Sequence, residues 1–393
     1  QALRERLAER YAVPPGRVLV TAGADDALYR ACAAMLDETR ALVVATPTFE
    51  MIPRYAELTG AHIARVPWPD GQPYPTRGVL ETIEELGERV GMIALVSPNN
   101  PTGQVLGRDA PERIAAAAPG ALVVLDHAYV EFAGRAHDLT DAALEWPNAL
   151  VVRTLSKAWG LAGLRTGYAM GSPEVIGWLA AAGNPYAVAG PSATLAWHRL
   201  GMAQDDVDTF IARTRTEREG LAAALTAHGA TPTPSQANFA FARHPDPVWV
   251  RDVMAGQGVA IRAWPGDAER ADALRISCPG DPGALERAVG ALELLAPEAV
   301  LFDMDGVLVD VSRSYRAAII ATAAHFGVEV TQDQISACKR KGQANNDWVL
   351  TRQLLRDHGP SPVPSLEAVT EVFEELYQGD AQTPGLRERE ALL

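Results

Sequence analysis

Apolar positions recur in two registers along this chain. Between Arg17 and Arg153, short runs that are apolar almost throughout alternate with longer stretches in which apolar residues return every three or four positions. The first kind predicts strands and the second amphipathic helices. Candidate strands are Arg17–Thr21, Ala41–Ala45, His62–Val66, Gly91–Ser97, Ala121–Asp126 and Ala149–Arg153. Candidate helices between them are Asp25–Leu36, Phe49–Leu58, Gly78–Glu88 and Asp109–Ala117. Runs such as ALVVLD and IALVSP leave no polar face, which suits strands buried on both sides of a mainly parallel sheet.

A long helical stretch, Pro191–His228, leads into a second α/β segment with strands expected at Phe239–Ala242, Val259–Arg262 and Leu274–Ser277. Ala296-Pro297-Glu298 reads as a linker, and the run AVLF after it as a fresh strand opening a third, otherwise helical unit. The expected units are residues 1–190, 191–296 and 299–393. At the other end, Leu3, Leu7 and Tyr11 place Gln1 already inside a helix, without a signal-peptide pattern, so residues are expected to be missing before it.

At 393 residues, with 48% hydrophobic and 21% charged positions, the chain reads as a soluble globular protein of two to three domains. A net charge of -14 argues against a nucleic-acid or anionic-membrane partner. No apolar run reaches the length of a membrane span. Cys32, Cys278 and Cys338 form neither a disulfide framework nor a metal motif, so a cytoplasmic location is expected. The basic residues are lopsided: of 35 Lys+Arg, only Lys157, Lys339 and Lys341 are lysines. Arginine stays protonated, whereas a partly buried lysine can lose its proton and attack a carbonyl. Lys157, alone in the first 338 residues, is therefore the leading candidate nucleophile.

Its surroundings sharpen that reading. Ligands of parallel α/β sheets sit beyond the carboxyl ends of the strands, where Gly23-Ala24-Asp25, Asn99-Asn100-Pro101, Asp126-His127 and Ser156-Lys157 all fall. SPNNPTG (97–103), LDHAY (125–129) and TLSKAWGLAGLR (154–165), in this order and spacing, resemble the large domain of fold-type I pyridoxal-phosphate aminotransferases. The resemblance extends over about Gln1 to Leu295 and is greatest to histidinol-phosphate aminotransferases. It implies an α/β fold: a PLP-transferase-like large domain with a mostly parallel central sheet (1–190), then a smaller α/β domain (191–296).

The resemblance also implies roles. Lys157 would carry pyridoxal 5′-phosphate covalently and then shuttle the substrate proton, and Asp126 would pair with the pyridinium nitrogen. Asn100 and Tyr129 would bond the phenolic oxygen, and Phe49 would stack on the ring. An X-Pro bond in the Asn100 loop is a candidate for cis geometry. The phosphate would lie on amides of Ala24 and Asp25, with Thr154, Ser156 and Arg165 completing the cradle and the Asp25 side chain capping the helix. Arg275 would grip the acidic group of the substrate, Arg262 its phosphate, and Asn238 would border the pocket. His127 stands where the family usually carries an acidic residue, and the family's N-terminal arm is absent. A homodimer is implied.

In the third unit, AVLFDMDGVLVD (299–310) resembles motif one of the haloacid dehalogenase (HAD) superfamily, the start of a Rossmann-like domain. Asp303 would be the nucleophile, Asp305 the general acid/base, and both would bind Mg²⁺. The helical segments from Ser314 to Tyr377 would form a cap. The family's later motifs do not appear before Leu393, so this phosphatase unit is expected to be incomplete and inactive as it stands.

Together these readings imply transamination between a small-molecule amino donor such as glutamate and a phosphorylated or aromatic keto acceptor. Imidazole acetol phosphate is the first expectation. An aromatic aminotransferase or a phosphothreonine decarboxylase-like enzyme is the alternative within the cofactor class. A non-catalytic binding module on the same fold is the alternative outside it.

Overall fold

The computed structural model describes residues 1–296, 299, 301–304, 307–340, 346–359 and 361–392. The chain divides into two compact units, Gln1–Ala296 and Pro297–Leu393. Among the described residues no helix is long and apolar enough to cross a membrane.

The first unit is built on seven strands: β1 (Val18–Thr21), β2 (Ala41–Thr46), β3 (His62–Pro67), β4 (Val90–Val96), β5 (Leu122–Asp126), β6 (Ala149–Thr154) and β7 (Gly167–Gly171). They form one sheet in the order β1-β7-β6-β5-β4-β2-β3. Pairing is parallel except at β7, which runs antiparallel to both β1 and β6. Every residue of β4, β5 and β6 is buried, as their continuous apolar composition requires. Alternate side chains feed two cores: Val123 and Leu125 of β5 join Leu7, Ile93, Val151 and Trp159 on one face, whereas Leu122 and Val124 join Leu28, Leu42, Met92 and Leu179 on the other. Each such side chain stabilises the sheet by about 1.5–3 kcal/mol relative to exposure. β3, at the edge, is only half-buried and carries His62 and Arg65.

β7 is a strand that the pattern analysis does not predict, because GYAMG is poor in strand formers. Its glycines answer to close packing. A Cβ on Gly167 would stand 2.6 Å from the carbonyl carbon of Gly23 and 2.9 Å from the carbonyl oxygen of Arg153, so only glycine lets β7 slot between β1 and β6.

A second, wholly antiparallel sheet comprises β8 (Thr231–Thr233), β9 (Phe239–Arg243), β10 (Arg262–Ala263) and β11 (Ala273–Ser277), in the order β10-β11-β9-β8. Leu274 and Ile276 pack with Leu221, Leu225, Val250, Met254 and Leu292 from three helices. Two expectations are corrected here. The predicted strand Val259–Arg262 is shifted: the Val259 amide still bonds the Met254 carbonyl at 2.9 Å at the preceding helix end, and pairing begins only where Arg262 meets Arg275. The stretch 191–228 is two helices, Gly190–Met202 and Gln204–Ala227, broken at Ala203 (φ -124°). Asp205 and Asp206 open the second helix, where its dipole favours acidic groups.

The second unit is a helical cluster. Helices Tyr315–His325, Gln332–Arg340, Asp347–His358 and Leu366–Gln378 enclose Ile319, Ile335, Leu354, Val369 and Phe373. Its strands β12 (Val309–Asp310) and β13 (Ala391–Leu392) form a two-residue antiparallel pair. The predicted AVLF strand is not formed at its described residues: Leu301 and Phe302 are exposed and unpaired. An apolar strand of that kind needs neighbours on both sides, and among the described residues the sheet of this unit is the β12–β13 pair alone.

Candidate active site

Because β1, β2, β4, β5 and β6 run in one direction, their carboxyl ends meet at one edge of the sheet. A cavity opens there. β1 delivers Ala24 and Asp25, β2 Phe49, β4 Asn100, β5 Asp126 and Tyr129, and β6 Thr154, Ser156 and Lys157; Arg165 enters ahead of β7. All ten residues expected to hold the cofactor line this one cavity, together with Val96 and Ala128. The Ser97–Pro98 and Asn100–Pro101 bonds of the β4 loop are cis.

At one end lies the start of the Ala24–Met35 helix, whose first amides have no partners within the helix. Gly23 precedes it at φ 85°, and a Cβ there would stand 2.8 Å from Nη2 of Arg165. Glycine thus lets the guanidinium lie over the helix start. Arg165 itself sits in the left-handed region (φ 47°, ψ 55°), an uncommon conformation held by its surroundings. The expectation that the Asp25 side chain caps the helix is corrected: its Oδ2 lies 3.1 Å from Arg165 Nη2. Asp26 takes the local bonds instead, accepting from the Ala22 amide at 3.0 Å and from Arg30 Nε at 2.8 Å. The Ser156 amide donates to Thr154 Oγ1 at 3.1 Å, leaving Ser156 Oγ buried without a partner.

At the other end Asp126, only 4% exposed, accepts from the Ala128 amide at 3.0 Å. Burial pushes its pKa up to about 6; Asp25 adds to the rise, and the Ala128 amide and Lys157 oppose it. Lys157 Nζ lies 5.2 Å from the centroid of the Tyr129 ring, which packs edge-on against Phe239. A dry carboxylate with no close cation, a lysine amine, and an arginine over free helix amides beside an unpaired hydroxyl are donors suited to a protonated pyridine, an aldehyde and a phosphate. The residues present fit pyridoxal 5′-phosphate.

His127 lies outside the cavity, fully buried with Nδ1 3.4 Å from Thr140 Oγ1 and 3.6 Å from Asp138 Oδ1. Burial holds its pKa down. Arg153 binds Asp138 and Glu131, each at 3.0 Å. The residue that departs from the family pattern thus belongs to a polar network beneath the strand ends.

A neighbouring cavity shares Phe49 and Asn100 with the first, and both predicted substrate arginines line it. Arg275 Nη1 donates to Asn100 Oδ1 at 2.5 Å, and its guanidinium carbon lies 4.9 Å from the Phe239 centroid. Burial lowers the Arg275 pKa, and its Nε has no partner. Arg262 is its direct cross-strand neighbour, an arrangement of like charges that is unfavourable unless an anion joins them. Arg262 Nη2 approaches Glu50 Oε1 at 4.0 Å.

Asn238 lines neither cavity, contrary to expectation. Its carbonyl accepts from the Cys278 amide, and the next residue, Phe239, takes the place beneath Arg275. Glu50, Trp264 and Arg270 also line the second cavity and were not predicted. Glu50 and Trp264 stand one and two residues from predicted positions, whereas nothing in the sequence marks Arg270. In the second unit, Asp303 is exposed and Asp305 lies outside the described residues; among the described residues no cluster of acidic, His or Cys side chains is arranged to hold a metal ion.

Residues 1–292 match the family model "Aminotransferase class I and II". The chain belongs to that family, and it is a pyridoxal-phosphate-dependent aminotransferase. Among curated relatives, histidinol-phosphate aminotransferase of Chlorobium phaeovibrioides is 34% identical over 256 residues, 64% of this chain and 68% of the relative. Aromatic amino acid aminotransferase of Corynebacterium efficiens is 35% identical over 274 residues, 67% of this chain and 75% of the relative. Imidazoleglycerol-phosphate dehydratase of Phytophthora nicotianae is 57% identical over 98 residues, 24% of this chain and 22% of the relative. The crystal structure of Sinorhizobium meliloti histidinol-phosphate aminotransferase with pyridoxal-5′-phosphate superposes with a TM-score of 0.67 at 24% identity, over 75% of this chain and 80% of that one. That likeness concerns the fold.

Proposed function

We propose that this aminotransferase converts imidazole acetol phosphate to histidinol phosphate, with glutamate as amino donor. The observation that carries the reading is the pair Arg262 and Arg275, cross-strand neighbours in a cavity that opens beside Lys157's. Arg275 has only the neutral Asn100 as a close partner, so a phosphate or carboxylate supplies the charge it lacks. The Chlorobium relative's name supports the same substrate. The Phytophthora relative's name adds chemical support, since dehydrating imidazoleglycerol phosphate yields a keto phosphate of the kind transamination consumes.

When bound, pyridoxal 5′-phosphate supplies an aldehyde for the amino group and a ring that takes up the electron pair left when the Cα proton departs. Arg165, Ser156, Thr154 and the amides of Ala24 and Asp25 would hold its phosphate. Asp126 would keep the pyridine nitrogen protonated, its own ionisation restored by that cation. Phe49 would cover one face of the ring, while Asn100 and Tyr129 would orient the phenolic oxygen. Lys157 Nζ would carry the proton between the substrate carbon and the cofactor's aldehyde carbon, and Arg275 with Arg262 would fix the anionic end so that this proton faces the lysine.

The Corynebacterium relative favours a second reading, an aromatic aminotransferase. Turnover of imidazole acetol phosphate, phenylpyruvate and phosphothreonine, measured side by side, separates the readings: kcat/KM greatest for imidazole acetol phosphate is the expected result, and preference for phenylpyruvate replaces the first reading with the second. We place the enzyme in the cytoplasm as a homodimer, the latter checked by light scattering. For the second unit we propose a HAD-like phosphatase role resting on Asp303 and Asp305 with Mg²⁺, the helical cluster serving as cap. Its test is release of phosphate from histidinol phosphate: none is expected from residues 1–393, and release would overturn the reading of this unit as inactive.

A further inference from the structure

The substrate cavity contains three guanidinium groups, and they differ in what already neutralises them. Arg270 is held by Asp267, with Nη2 2.5 Å and Nε 3.1 Å from Oδ2. Arg275 meets only Asn100 at hydrogen-bond distance. Arg262 has the Glu50 carboxylate at 4.0 Å, with both side chains partly exposed. Anion-binding capacity therefore lies with Arg275 and Arg262, and Glu50 works against it: a carboxylate beside Arg262 repels a bound phosphate. A cavity serving an anion alone gains nothing from such a group. Its presence points to a second substrate feature that donates a hydrogen bond or carries positive charge.

The remaining wall defines the shape of that feature. Trp264 is 9% exposed, with the guanidinium carbons of Arg262 and Arg270 at 5.6 and 5.2 Å from its ring centroid. These contacts fix the indole as a flat wall of the cavity that Glu50 also lines. A planar ring with an N–H satisfies both groups; a phenyl ring satisfies only the indole and leaves the carboxylate with Arg262 and Arg54, each at 4.0 Å and beyond hydrogen-bond distance. We infer that Glu50 is a specificity-determining residue that accepts the ring N–H of an imidazole substrate lying against Trp264, and so selects imidazole over phenyl. This rests on the substrate proposed above.

The test compares holoenzyme and its Glu50→Gln and Glu50→Ala variants on imidazole acetol phosphate and phenylpyruvate under identical conditions. The ratio of the two kcat/KM values, imidazole over phenyl, is expected to fall at least tenfold in Glu50→Ala, with Glu50→Gln between it and wild type, because a hydrogen bond to an ionised group is lost. A ratio within twofold of wild type in both variants, with imidazole acetol phosphate still preferred by wild type, overturns the role of Glu50 and leaves the proposed substrate standing. Failure of the wild-type enzyme itself to turn over imidazole acetol phosphate overturns both.

Discussion

Replacing Asp126 by Asn exposes what the cofactor site costs the protein when empty. Asp126 is buried at the end of β5, and that burial, rather than any one neighbour, is the largest cause of its pKa rising from 3.8 to about 6. In cofactor-free protein the unfolded chain gives up this proton first as pH rises, while the folded chain keeps it until about 6. Stability therefore declines through the window from 3.8 to about 6, and above it the folded state has lost about 3 kcal/mol. Asparagine has nearly the same shape, keeps an acceptor for the Ala128 amide and cannot ionise. Urea unfolding of cofactor-free wild type and Asp126→Asn at pH 5 and pH 8 should show the variant's advantage growing by about 1 kcal/mol at the higher pH. Adding pyridoxal 5′-phosphate should reverse the order at pH 8, because the protonated pyridine compensates only the aspartate. Parallel pH profiles, or equal stabilisation of both proteins by the cofactor, would refute the claim that Asp126 is a strained carboxylate relieved by a cation.

Gly23→Ala places a methyl 2.8 Å from Arg165 Nη2 at a φ of 85°; cofactor affinity of the refolded protein, followed by absorbance titration, should fall at least tenfold, since both the backbone and the arginine must move. Arg153→Met leaves Glu131 and Asp138 without their shared cation, and chemical denaturation should show a loss of about 3–5 kcal/mol.

Legibility from sequence followed the reach of the forces involved. Strands β4, β5 and β6 were readable because burial on both faces writes an unbroken apolar run into the chain. β7 was not, since Gly167 is chosen for the room between neighbouring strands, a property of the assembled sheet. AVLF misled for the converse reason: its local composition suits a strand, but a strand exists only with partners, and Leu301 and Phe302 have none among the described residues. In the site, residues within the three motifs were found together because strand ends converge at one edge. Arg270 and Trp264 lie in the connection between β10 and β11, and their meeting with Glu50 depends on how the second sheet packs against the first. Asp25 illustrates a finer limit: capping and ion pairing compete for one side chain, and the distant Arg165 decides between them.

The central claim is that Lys157 bears the cofactor, and the composition makes it directly measurable. Lys157 is the only lysine within the 292 residues matched to the aminotransferase family, the others being Lys339 and Lys341. Borohydride reduction of the holoenzyme followed by peptide mapping should place one cofactor adduct per chain on the peptide containing Lys157, and Lys157→Ala should show neither adduct nor transamination. An adduct confined to Lys339 or Lys341, or transamination retained by Lys157→Ala, would contradict the account.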